Sequence, residues 1–126
     1  MTDLPESLRR FIEFCIPTFE AAEILLLLAA RTERGWNKDE ILAEIRPSVV
    51  SVSAVQEYLA IFKLRGILTE KDGYFYFSPS SPELSEGVGA LREAYNHRPV
   101  TLISTIYRLA DRRIQSFADA FKLRKD

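Results

Sequence analysis

The chain has 126 residues, 47% of them apolar and 28% charged, which suits one folded domain with a real core and argues against a disordered chain. The longest apolar run, Ile24–Ala30, falls far short of the roughly 20 residues that span a bilayer, and no basic, apolar, small-residue leader opens the sequence. Cys15 is the sole cysteine, so no intrachain disulfide can form, and a cytoplasmic setting with no membrane partner is expected. The formal net charge of −1 hides an asymmetry: residues 1–91 hold 9 Lys/Arg against 14 Asp/Glu, and residues 92–126 hold 8 against 4.

In chain order, Leu4, Leu8, Phe11 and Ile12 fall at helical spacing and predict a short amphipathic entry helix. Pro17 suits the first turn of a second helix, Thr18–Arg31, which is apolar on most sides and reads as the central core helix. Asn37 and Glu40 stand in capping-box positions for a third helix, with Ile41, Leu42 and Ile45 on its buried face and Pro47 as its stop. Ser51 caps a fourth helix, which buries Val55, Leu59 and Phe62 at i, i+4, i+7 and closes at Gly66. Two short strands then flank Asp72-Gly73, a dipeptide favoured in type I′ hairpins. Of Tyr74, Phe75, Tyr76 and Phe77, alternation predicts two in the core and two partly exposed. Pro79 and Pro82 open a linker. Leu84, Val88, Leu91 and Tyr95 predict the next helix, which Gly87 and Gly89 weaken. Pro99 starts another, with a break expected near Asp111.

NKDEILAEI, RPSVV and SVSAVQEYLAIFKLRG followed by ILTEKDGYFYFSP can be laid without a gap on a helix, a turn, a second helix and a β-hairpin wing. In this order, with Ser51 and Ser53, Val55, Leu59, Phe62, Gly66 and Ile67 at the typical positions, the chain resembles winged helix-turn-helix bacterial regulators of the broad MarR/ArsR/GntR type. The resemblance covers about 60 residues, from Thr18 to Phe77. It implies a mainly α fold with a small β-hairpin wing. Residues 1–79 would form the winged-helix domain with its N-terminal helix. Residues 80–126 would add a C-terminal helical extension, the two packed as one unit.

The function the resemblance implies is transcription regulation by binding double-stranded DNA, with no cofactor. The helix from Ser51 would enter the major groove. Ser53, Ala54, Gln56 and Glu57 then face base edges, with Ser51 beside them at the helix start as a further nucleic-acid contact and Gln56 suited to a bidentate contact with adenine. Arg46, Lys63 and Lys71 would contact phosphates, which supply affinity without reading sequence. Two observations point the other way. Glu57, Tyr58, Ala60 and Ile61 occupy a stretch where such regulators commonly carry basic residues, and the excess positive charge lies in the tail. Tyr58 and Ile61, if uncovered, would instead make an apolar surface for a protein partner. A winged helix acting as a protein-interaction module is therefore the alternative. Plainer readings stand beside these: Ser51 as a cap only, and Lys63 with Arg65 as helix-end charges facing the dipole.

In the last third, Ile103, Ile106, Ala110, Ile114, Phe117 and Phe121 form an apolar stripe expected to make a homodimer interface, with packing back on the chain's own Leu-rich helix as the plainer reading. Catalysis is not expected. One histidine and one cysteine cannot make a closed zinc site, Cys15 sits in an apolar run, and Gly87-Val88-Gly89 lacks the strand and lysine of a phosphate loop.

Overall fold

Residues 3–45 and 51–124 are described by a computed structural model, with side chains through Asp111. Among them the elements run α1 (Glu6–Cys15), α2 (Phe19–Ala30), α3 (Lys38–Glu44), α4 (Val52–Leu64), β1 (Leu68–Lys71), β2 (Tyr74–Phe77), α5 (Pro82–His97) and α6 (Pro99–Arg124). The architecture is mainly helical with one small antiparallel hairpin. The RPSVV turn, with Arg46 and Pro47, lies outside the described residues.

Capping chemistry fixes most helix starts. The Thr18 hydroxyl accepts the Ala21 N–H at 3.0 Å, so α2 begins at Phe19 and Pro17 precedes the cap instead of sitting in the first turn. Both halves of the capping box are made at α3: Glu40 N–H donates to Asn37 Oδ1 at 2.8 Å, and Asn37 N–H to Glu40 Oε1 at 3.1 Å. Ser51 caps α4 through the Ala54 N–H. Ser81 caps α5, with Pro82 at its first turn, so Pro82 opens a helix and not a linker.

Burial follows the helical periods. Leu8, Phe11, Ile12 and Cys15 line the inner face of α1, and Val55, Leu59 and Phe62 that of α4. α2 is buried on nearly every side through Ala21, Ala22, Ile24, Leu25, Leu28 and Ala29, as the central helix of one core. Each large side chain withdrawn completely from water contributes roughly 1.5–3 kcal/mol before entropy is charged against it. The C-terminal helices share this core: α1 packs on α5 and α6, and α2 on α5.

The hairpin pairs Leu68 with Phe77 and Lys71 with Tyr74, leaving a two-residue loop. Asp72 (φ 55°) and Gly73 (φ 82°) both lie in the left-handed region that a type I′ turn requires. A rung from a third segment is not legible in the sequence. Trp36 exchanges both backbone hydrogen bonds with Phe75, at 2.8 and 2.9 Å, and so ties the α2–α3 connection to β2. This rung also explains why the hairpin aromatics do not divide as expected. Phe75 and Phe77 pack partly on the core, Tyr76 lies over Gly35, and only Tyr74 is exposed. Leu68 of β1 is buried, whereas both faces of β2 are partly covered and none of its aromatics is fully buried.

The expected break near Asp111 is absent, and α6 is continuous from Pro99 to Arg124. Its inner face is Leu102, Thr105, Ile106 and Leu109, with the Thr105 hydroxyl donating to the Thr101 carbonyl at 2.7 Å. Among the described residues no helix is long and apolar enough to cross a membrane.

Candidate nucleic-acid interface

Because Val55, Leu59 and Phe62 hold α4 to the core, the opposite side of the helix must face water. Ser51, Val52, Ser53, Gln56, Glu57, Ala60, Lys63 and Leu64 are all exposed there. Ser51 is committed as the cap and its Oγ lies 3.3 Å from Ser53 Oγ, while Ala54 is half-buried. Beside this face the hairpin projects Lys71 at its tip. Between α3, α4 and the hairpin runs an open cleft of about 490 Å³, with Gln56, Ala60 and Lys63 on one wall and Glu70 and Phe75 on the other.

Lys63 does not stand free over this cleft. Its Nζ donates to Glu70 Oε1 at 2.8 Å, tying the end of α4 to β1. Sequence order hides the pair, which is seven residues apart and joined only because the chain reverses at Gly66, where φ is +83°. The charged groups around the cleft and hairpin are Lys38, Lys63 and Lys71 against Asp39, Glu57, Glu70 and Asp72, a formal −1. Arg46, also expected to reach phosphates, lies outside the described residues.

Tyr58 and Ile61 are half-buried against the core and are not an open surface. Ile61 shares a shallow hollow of about 170 Å³ with Phe14, Cys15, Pro17, Leu64 and Arg65. The exposed apolar groups here are Phe14 and Leu64, 55% and 77% accessible, and the Arg65 guanidinium lies 4.0 Å from the Phe14 ring centroid. The signal for Phe14 is in the sequence, since it falls off the Leu8–Phe11–Ile12–Cys15 stripe.

Of the expected dimer stripe, Ile106 is wholly buried in the chain's own core and is not available to a partner. Ile103 and Ala110 are half-buried, and the side chains of Ile114, Phe117 and Phe121 lie outside the described ones. A stripe through Ile106 reads as an interface because apolar character alone does not say which face a helix turns inward.

Of the other reactive groups, Cys15 and Tyr95 are tied into the packing. Cys15 is buried, and burial pushes its thiol up to about 11 against the opposing pull of Arg65. His97 is exposed and lies 3.5 Å from Glu93. Tyr95 stacks on Phe19 and donates to Glu23 at 2.9 Å, fastening α5 to α2. Burial first, then the Glu23 carboxylate, raises its hydroxyl above the usual tyrosine range. No protein-family model, curated protein or solved structure matches the chain.

Proposed function

We propose that the chain is a winged-helix regulator that binds double-stranded DNA through α4 and the hairpin. One observation carries this reading: the order helix, bridging strand residue, helix, helix, hairpin, with Trp36 paired to β2 so that the outer face of α4 and the hairpin tip open on one side. In this reading α4 enters the major groove. Ser53, Gln56 and Glu57 approach base edges, and Lys71 meets the backbone beside the groove. The local charge argues for weak binding by a single module, because each released counterion needs a cation on the protein side and Lys63 is already engaged by Glu70. Binding to a mixed-sequence duplex at about 50 and about 200 mM salt tests the reading. Salt-sensitive association that Gln56→Ala and Lys71→Glu both weaken supports it. Absence of binding at the lower salt sinks it.

A second reading is favoured by a different observation. With Lys63 paired, the exposed Val52, Ala60, Leu64 and Phe14 make the α4 side more apolar than a polyanion site needs, which suits a protein partner. If duplex binding fails while Leu64→Glu abolishes a photo-crosslink from the Ala60 position to another protein, this second reading replaces the first.

A further inference from the structure

Two hollows open along the outside of α1, and Phe14 is the residue common to both. The larger, about 380 Å³, lies between α1 and α5, with Leu8, Phe11 and Leu84 as its apolar lining. The smaller, about 170 Å³, lies between α1 and the end of α4, beside Ile61 and Leu64. The trough exists because side chains that could fill it are small: Ser7 on α1, and Gly87 and Ala90 on α5. Gly87 in particular lets the Phe11 ring lie against the α5 backbone, where a Cβ would overlap it. Phe14 and Leu64, 55% and 77% accessible, leave this line apolar and open to water.

The shape selects a helix. On α1 the lining positions Ser7, Arg10, Phe11 and Phe14 step by i, i+3, i+4, i+7, and on α5 Glu83, Glu86, Gly87 and Ala90 do the same. Two helical ridges of that period leave a groove that takes the ridge of a third helix. A cavity of roughly 150 Å³ admits a benzene ring, so each hollow has room for a large apolar side chain. Neighbours one turn apart on a docked helix, about 5–6 Å between Cβ atoms, can splay to either side of the Phe14 ring. We propose that this trough is the docking site for a basic amphipathic helix of a protein partner.

Charge selects the sign of the partner. The charged residues lining the two hollows are Arg10 and Arg65 against Glu13, Glu83 and Glu86. Both cations are engaged within the chain: Arg10 donates to Glu6 at 3.1 Å, and the Arg65 guanidinium lies 4.0 Å from the Phe14 ring centroid. Glu83 and Glu86 are exposed, and among the described residues neither forms an ion pair. With Glu6 counted, the rim sets two cations against four carboxylates, a formal −2. Such a rim attracts Lys and Arg on the polar face of a docked helix and repels an acidic one. None of the lining residues is among those assigned to base edges, so the inference does not rest on the DNA-binding reading. It shares Phe14 and Leu64 with the protein-partner reading and adds the partner's chemistry.

The probe is a labelled synthetic peptide of about 18 residues, roughly 27 Å as a helix, with leucines at i, i+3, i+4, i+7 and lysines elsewhere. It is titrated with the full chain and followed by fluorescence anisotropy. A second peptide replaces every lysine by glutamate, and a third keeps the composition but disperses the leucines. Saturable binding of the first, at least about tenfold tighter than of the other two, is expected. Glu83→Lys with Glu86→Lys, and separately Phe14→Ser, change exposed side chains and should each weaken it about tenfold or more with helix content unchanged. Glu33→Lys with Glu44→Lys, exposed carboxylates outside the lining, should leave it within about twofold. Equal affinity for the three peptides overturns the proposal, as do losses that follow Glu33 and Glu44 as strongly as Glu83 and Glu86. A chain that pairs with itself, and returns to 14.4 kDa on Phe14→Ser, makes a second copy the occupant and overturns it too. Absence of peptide binding with the Ala60 crosslink intact overturns this inference alone and leaves the protein-partner reading standing.

Discussion

Gly87→Ala and Gly89→Ala are the same chemical change two residues apart on α5, and the geometry assigns them opposite signs. In a helix, alanine gains roughly 0.5–1 kcal/mol over glycine, because glycine has more backbone freedom to lose. At Gly89 an added Cβ meets nothing within 4 Å, so the full gain is expected. At Gly87 the same Cβ would lie 2.4 Å from Phe11 Cδ1 and 2.8 Å from Cγ. Those atoms belong to a buried ring held in α1, not to the loose end of a flexible chain. Relieving the overlap must push α1 off α5, and overpacking of this kind costs about 1–3 kcal/mol, which outweighs the propensity gain. The propensity gain is common to both variants, so they should separate by the overpacking cost, roughly 1–3 kcal/mol, in urea unfolding followed by circular dichroism. Their melting points should move apart, at a few degrees per kcal/mol for a chain of this length. Equal stabilisation by both alanines would refute the close approach of α1 and α5, and with it the reason the helices can pack there.

Glu70→Gln releases Lys63 from its 2.8 Å pair, and duplex affinity should rise. The slope of log K against log salt should steepen by about 0.9 as one more phosphate is neutralised; an unchanged slope means Lys63 does not face DNA. Asn37→Ala removes one half of the α3 capping box and should cost about 0.5–2 kcal/mol, whereas Lys38→Ala next to it should cost little; equal effects would show that the cap is unimportant. Cys15 has a folded-state value near 11 against 9.0 for the free thiol, so the unfolded chain ionises first. Its contribution to stability is whole below pH 9 and is lost as pH climbs toward 11, and Tyr95, raised for similar reasons, adds to the decline from pH 10 upward. Urea unfolding across that range should weaken steadily, and a thiol reagent at about pH 8, just below the free-thiol range, should modify the native chain far more slowly than the unfolded one. Equal rates would place Cys15 in contact with solvent.

Much of the fold is legible in local chemistry. Asn37 with Glu40, Ser51, Gly66 and Asp72-Gly73 each act within a few residues of backbone, so caps, stops and the tight turn are written where they occur. Helical spacing in α1, α4 and α5 likewise names the inner face wherever one apolar stripe stands alone on a polar helix. What tertiary structure decided are the relations between distant segments. The Trp36–Phe75 rung is a single residue with no period to betray it. The Lys63–Glu70 pair needs the reversal at Gly66, and the role of Gly87 exists only because Phe11 arrives from α1. On α6 the sequence offers two apolar stripes that overlap in the helical repeat, and pattern alone cannot rank them. Packing resolves the ambiguity: Ile106 is turned into the core by its neighbours on α1 and α5, which leaves Val100 and Tyr107 facing water.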